Sequence, residues 1–178
     1  MLARAKQRGM SLVEVLIAIT IGGILMAAAM PMYSTWIQNT QIRTGAEALL
    51  NGLQVARSEA LSRNTNVQFE MTGATGWKVN LVSDPDGTPI QARSAASGSA
   101  AAITTPTPSD ATIVTFNAIG RKLATNPNVG TPPIQQIDID SSLSSASDIR
   151  KLRVTISDGG QVRMCDPTAV AGDSRSCS

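Results

Sequence analysis

The sequence predicts an α+β fold, in which one long N-terminal helix, apolar in its first half and amphipathic in its second, packs on an antiparallel β-sheet. Three observations carry this. Apolar residues recur at helical spacing from about Ser11 to about Ser62. Asn64-Thr65-Asn66 then interrupts the pattern, and the period changes to two. About six short alternating runs follow at hairpin spacing, which separates helix from sheet along the chain.

The first element begins with a basic leader. Arg4, Lys6 and Arg8 precede Gly9, and Met10-Ser11-Leu12-Val13-Glu14 opens an apolar run. After Glu14 no charged residue occurs until Arg43. The stretch from Met10 to Tyr33 is long enough to cross a hydrocarbon core about 30 Å thick. Basic residues stay cytoplasmic, so everything after the helix is expected to face outward. A carboxylate at the edge of a bilayer core costs a few kcal/mol, so acids within spans are rare and usually functional. An ordinary secretory signal ends its apolar run at a small-residue cleavage site. Here the small residue, Gly9, precedes the run, so cleavage there would remove the charges and keep the helix.

That arrangement resembles the type IV prepilin signal. The resemblance implies an inner-membrane prepilin peptidase/methyltransferase that cuts between Gly9 and Met10 and N-methylates Met10. It also implies that Glu14 is kept as the fifth residue of the mature chain. Met10 stands where that family usually has phenylalanine, a departure that preserves a large apolar side chain. The alternative is an uncleaved signal anchor with an incidental acid. On this reading the chain comprises a removed leader over 1–9, a transmembrane and assembly helix over 10–33, and a periplasmic globular domain over 34–178.

Beyond Tyr33 the helix continues as an apolar stripe of Ala46, Leu49, Leu50, Leu53, Ala56 and Ala60, with Arg43, Glu47, Arg57 and Glu59 largely off it. Gly22-Gly23 weakens the first half, and Pro31 removes one backbone hydrogen bond and should kink it. Proline is tolerated in membrane helices, so a plain kink is one reading. The prepilin resemblance implies another, that Gly23 to Pro31 melts when helices bundle in a fibre.

Val67, Phe69 and Met71 alternate with Gln68 and Glu70, and Trp77, Val79 and Leu81 alternate with Lys78 and Asn80. Thr72-Gly73-Ala74-Thr75-Gly76 between them supplies a hairpin loop. Ser83 to Asp110 is polar and rich in Ser, Ala, Gly, Thr and Pro, and reads as a surface excursion. Strand patterns return at Ile113–Phe116, Ile134–Ile139, Ile149–Ile156 and Gln161–Cys165.

The last hairpin can be taken to its register. Leu152, Val154 and Ile156 share one face, as do Val162 and Met164, and a one-residue slip would expose the whole apolar set. A three-residue loop, Asp158-Gly159-Gly160, pairs Ile156 with Val162 and Val154 with Met164, with Gly160 in the left-handed conformation such loops require. Thr155 then faces Arg163, with Arg153 diagonal and Lys151 further along. The outward face of this hairpin is basic.

Composition excludes several classes. The chain has no histidine, which removes the commonest general base and metal ligand. No nucleophile with a histidine base can be assembled, so no enzyme and no cofactor are expected. The net charge of +2 is too small to imply nucleic-acid binding from the overall field. Cys165 and Cys177, in an exported domain, are expected to form a disulfide, worth about 2.5–3 kcal/mol by chain entropy. Asp84, Asp86, Asp166 and Asp173 lack the spacing of a calcium loop and read as turns.

Ala56-Arg57-Ser58-Glu59-Ala60, then Arg63-Asn64, Val67, Trp77, Val114-Thr115-Phe116 and Gly120 resemble the FimT/GspH branch of pilin-like proteins. The resemblance covers nearly the whole mature chain apart from the Ser83–Asp110 insert. It implies the pilin fold and a minor type IV pilin that takes part in assembly or priming of a pilus, with other pilins as partners. The runner-up is the minor pseudopilin of a type II secretion system, whose mature chain would look nearly the same, and a third reading is a DNA-binding minor pilin for natural transformation. Some DNA-binding pilins of this branch carry Gly-Arg-x-Arg on the last hairpin, and here the sequence is Gly160-Gln161-Val162-Arg163. Glutamine lacks the planar fork that grips phosphate, so the retained Arg163, with Lys151, Arg153 and Arg150 as partial substitutes, would have to carry any DNA contact. A basic strand face also serves simply to discourage edge pairing. Glu14 is expected to pair, within a helix bundle, with the N-terminal amine of a neighbouring subunit.

Overall fold

In a computed structural model, residues 10–95, 97–142 and 149–177 are described. Helix α1 runs over Leu12–Arg63, 52 residues. The chain divides into two compact units, Met1–Trp36 and Ile37–Ser178. Eight strands follow α1: β1 Val67–Met71, β2 Trp77–Leu81, β3 Gln91–Arg93, β4 Ala102–Thr107, β5 Ile113–Phe116, β6 Gln136–Ser141, β7 Leu152–Ile156 and β8 Val162–Cys165.

Helix α1 stops where the asparagine triplet predicts. Asn64 takes a left-handed φ of 49°, and the Thr65 amide reaches back to the Ala60 carbonyl at 3.3 Å. That six-to-one bond caps the last turn.

The strands form two antiparallel four-stranded sheets, β3-β2-β1-β5 and β4-β6-β7-β8, rather than the single sheet expected. The surface excursion predicted for Ser83–Asp110 is corrected as well. It contributes β3 to the edge of the first sheet and β4 to the edge of the second. Thr-Pro repeats conceal β4, because proline argues against a strand unless it lies at an edge. Ser142 N–H bonds the Ala101 carbonyl and Gln135 N–H bonds the Thr107 carbonyl, each at 2.8 Å. The odd-numbered residues of β4 therefore face β6, and Pro106 turns its missing donor away from the ladder. Strands β6 and β7 begin later than the apolar pattern suggests, at Gln136 and Leu152, which leaves Lys151 just ahead of β7.

The last hairpin has the predicted register: Ile156 opposite Val162, Thr155 opposite Arg163, Val154 opposite Met164. Gly160 has φ +79° and closes the loop through its amide to the Ser157 carbonyl at 2.9 Å.

The core of the second unit is the stripe Ile42, Ala46, Leu49, Leu53, Ala56 and Ala60 against Val67, Phe69, Trp77, Val79, Val114, Phe116, Ile137, Ile139 and Val154, all essentially inaccessible. Each large side chain there contributes about 1.5–3 kcal/mol. Two helical glycines let the sheets approach. A Cβ on Gly52 would stand 2.6 Å from the Trp77 ring, and one on Gly45 would stand 2.8 Å from the Thr75 methyl. Polar side chains fix the same helix to the second sheet and its flanks. Gln38 Oε1 accepts from the Ser141 hydroxyl at 2.8 Å, Gln41 Oε1 from the Ala101 amide at 3.0 Å, and Asn39 Oδ1 from the Arg150 amide at 2.9 Å.

Candidate functional site

The first unit carries the assembly candidates. Leu12, Val13, Leu16, Ile17, Ile24, Leu25, Met30 and Met32 all lie exposed on α1. Glu14 sits in the first turn, where the helix dipole favours an acid. The Thr20 hydroxyl within this stretch donates to the Leu16 and Ile17 carbonyls at 3.0 and 2.9 Å. Among the described residues no single helix is long and apolar enough to cross a membrane. Leu12–Ala27 and Met32–Arg63, taken as a bent pair, satisfy the requirement by length and composition. Pro31 falls inside the break between them. Gly9 and the leader lie outside the described residues, whereas Met10 is described and exposed.

The hairpin candidates are brought together, but with company the sequence reading did not assign. The Arg153 guanidinium forks onto Asp138 of β6 at 2.6 and 3.0 Å. Lys151 Nζ lies 2.6 Å from Asp140 Oδ2. Partial burial works against the Asp140 charge, but the Lys151 ammonium and the Ser141 amide outweigh it and lower its pKa. Asp140 in turn raises the pKa of Lys151. Arg163 is exposed and has no ion pair among the described residues. The signal for the two acids was available: Ile137-Asp138-Ile139-Asp140 alternates, which puts both carboxylates on the face opposite the core.

A second group missed by sequence reasoning lies behind the β7–β8 loop. Arg57 Nε donates to the Gly120 carbonyl at 3.1 Å. A Cβ on Gly160 would stand 1.9 Å from that same oxygen. Lys122, its side chain only 6% exposed, donates to the Ile156 carbonyl at 3.1 Å and pairs with Asp158 at the same distance. The block around Arg57, the Gly120 loop and the last hairpin thus meet at one point. Its signal in the sequence was the pair of glycines, but nothing local joins residues so far apart.

Cys165 and Cys177 are bonded, with Cα atoms 5.1 Å apart. The closed loop lays the tail beside the end of β8, where the Asp166 amide donates to the Arg175 carbonyl at 2.7 Å and Asp166 bridges Ser176 in parallel. Asp166 accepts from the Thr168 hydroxyl and amide at 2.7 and 2.8 Å, and those bonds lower its pKa. The Arg175 side chain and amide hold Asp173 at about 2. Both acids are thus occupied within their own turns. Asp84-Pro85-Asp86-Gly87 is likewise a turn, pinned by Asn80 Nδ2 to the Pro85 and Gly87 carbonyls at 2.9 and 3.2 Å. Among the described residues, no three acid or thiol side chains gather to hold a metal.

Comparison with known proteins agrees with these features. Residues 45–160 match the family model described as type II transport protein GspH, and residues 4–30 match the prokaryotic N-terminal methylation motif. Two crystal structures of the type IV minor pilin FimU from Pseudomonas aeruginosa strain PAO1 share the fold. The form in space group P21 has a TM-score of 0.52 at 18% identity and covers 72% of this chain and 90% of FimU. The form in space group P65 gives 0.53 at 17%, covering 71% and 94%. The family and fold are those of structural pilin subunits, which assemble with other pilins and carry a processing signal at the N-terminus. The GspH model spans more than half of the sequence, and the chain therefore belongs to the GspH family of minor pilins and pseudopilins.

Proposed function

We propose that the protein is a minor type IV pilin that enters a fibre through its N-terminal helix and takes part in its assembly or priming. The observation that carries this is the exposed apolar run from Leu12 to Met32, which holds one acid in its first turn and belongs to a compact unit distinct from the domain that follows it in the chain. In the precursor the leader over 1–9 would keep the N-terminus cytoplasmic, with helix 10–33 in the inner membrane and residues 34–178 in the periplasm. Prepilin peptidase would cut after Gly9 and N-methylate Met10. Glu14 would then pair with the N-terminal amine of a neighbouring subunit, because a carboxylate buried without a partner costs several kcal/mol. Pro31 would supply the bend or melted turn that packing in a fibre needs.

The family description favours a second reading, the minor pseudopilin of a type II secretion system. A DNA receptor draws support from Arg163, which has no ion pair among the described residues, whereas Lys151 and Arg153 are already matched by acids. Deleting the gene and scoring surface pili, secreted protein and DNA uptake side by side separates the three. Loss of pili is the expected result, and intact pili with failed secretion would overturn it.

A further inference from the structure

We propose that Tyr33 and Trp36 form an interfacial anchor that holds the helix at a fixed depth in the outer half of a lipid bilayer. The inference rests on the membrane-inserted reading above and adds what sets the depth.

Among the aromatic side chains, Phe69, Trp77 and Phe116 are buried in the domain core, and only Tyr33 and Trp36 are exposed, each at 62%. They stack on one another with centroids 6.0 Å apart and planes inclined at 27°. Rings of this kind, apolar in body and polar at the tip, concentrate at membrane–water interfaces.

Their position along α1 fits that role. From Glu14 to Tyr33 a helix rises about 28 Å, close to the roughly 30 Å of a hydrocarbon core. Composition changes at the pair. Apolar residues dominate before Tyr33, and Gln38, Asn39, Thr40 and Gln41 follow Trp36. With the rings at the outer interface, Glu14 comes to the inner edge of the core, where its charge costs least.

Processing makes the anchor consequential. Arg4, Lys6 and Arg8 hold the inner end of the precursor helix, and cleavage after Gly9 removes all three. The aromatic pair then joins Glu14 and the outer domain in fixing the depth of the helix before it enters a fibre.

The test uses the full chain in vesicles of phosphatidylethanolamine and phosphatidylglycerol whose acyl chains are brominated either near the headgroup or near the bilayer centre. Trp77 is buried in the core, so the difference between the wild type and Trp36→Phe reports Trp36 alone. The expected result is blue-shifted emission, quenched at least about twofold more by bromine near the headgroup than by bromine at the centre. Protein that floats with the vesicles while aqueous iodide quenches Trp36 as fully as free indole overturns the anchor and leaves membrane insertion standing. Stronger quenching from the bilayer centre also overturns it. Protein that fails to float overturns both readings.

Discussion

Arg57 and Gly120, 63 residues apart, are joined by a 3.1 Å hydrogen bond from the guanidinium Nε to the glycine carbonyl. The oxygen that receives it also abuts the α-carbon of Gly160, with no room for a side chain between them. Gly160 is therefore held by packing, whatever its place in a binding motif. Gly160→Ala should cost about 2–4 kcal/mol, combining the clash with a left-handed φ. Gly172→Ala, at φ +97° but with open space around it, should cost about 1 kcal/mol. Urea denaturation of the domain from Ile37 onward measures both, and equal costs would discount the Gly120 contact.

The acids of β6 set the electrostatics of the last hairpin. Asp138→Asn with Asp140→Asn should free Arg153 and Lys151, so the double variant should leave a heparin column at higher salt than the wild type. The slope of log affinity against log salt should steepen by about two contacts. Unchanged elution would mean that the pairs do not mask this face.

Acid should loosen the C-terminal loop before the core. Asp173 has its pKa lowered from 3.8 to about 2, so the folded state favours its charged form. That contribution is complete above about pH 4 and is lost as pH falls through about 2. Amide exchange in residues 166–176 should accelerate over this window, and Asp173→Asn should reduce that acceleration while leaving the part due to Asp166, whose pKa is also lowered.

Cys177→Ser should lower the melting temperature, with about 2.5–3 kcal/mol at stake by chain entropy. Non-reducing mass spectrometry of the wild-type domain should find no free thiol.

Glu14→Ala should be inserted and processed but be depleted from sheared fibres, because the substitution eases insertion while removing the charge proposed to pair between subunits. Gly9→Val should leave residues 1–9 attached in an intact-mass measurement, since a β-branched side chain cannot take glycine's place at the proposed cleavage site.

Much of the fold was legible in the sequence. The helix stripe, its stop at Asn64 and the register of the β7–β8 hairpin all follow from side-chain period and glycine chemistry, which act over a few residues. What stayed hidden depends on partners distant in the chain. Strand β4 reads as a proline-rich loop until β6 offers it an edge, and the division into two sheets has no local signature. Asp138 and Asp140 were readable as a solvated face, but their pairing with Arg153 and Lys151 required knowing that β6 lies beside β7.

Gly45 and Gly52 seat the helix against Thr75 and Trp77, while Gln38, Asn39 and Gln41 bond it across the adjoining segments. A rod held in this way behaves as a keyed shaft within its housing. It can neither roll nor slide, because rotation lifts the glycines out of register and translation shears several hydrogen bonds together. Tension applied to the chain at Ile37 is therefore shared among many contacts at once, and the domain should yield abruptly at a high force instead of unravelling turn by turn.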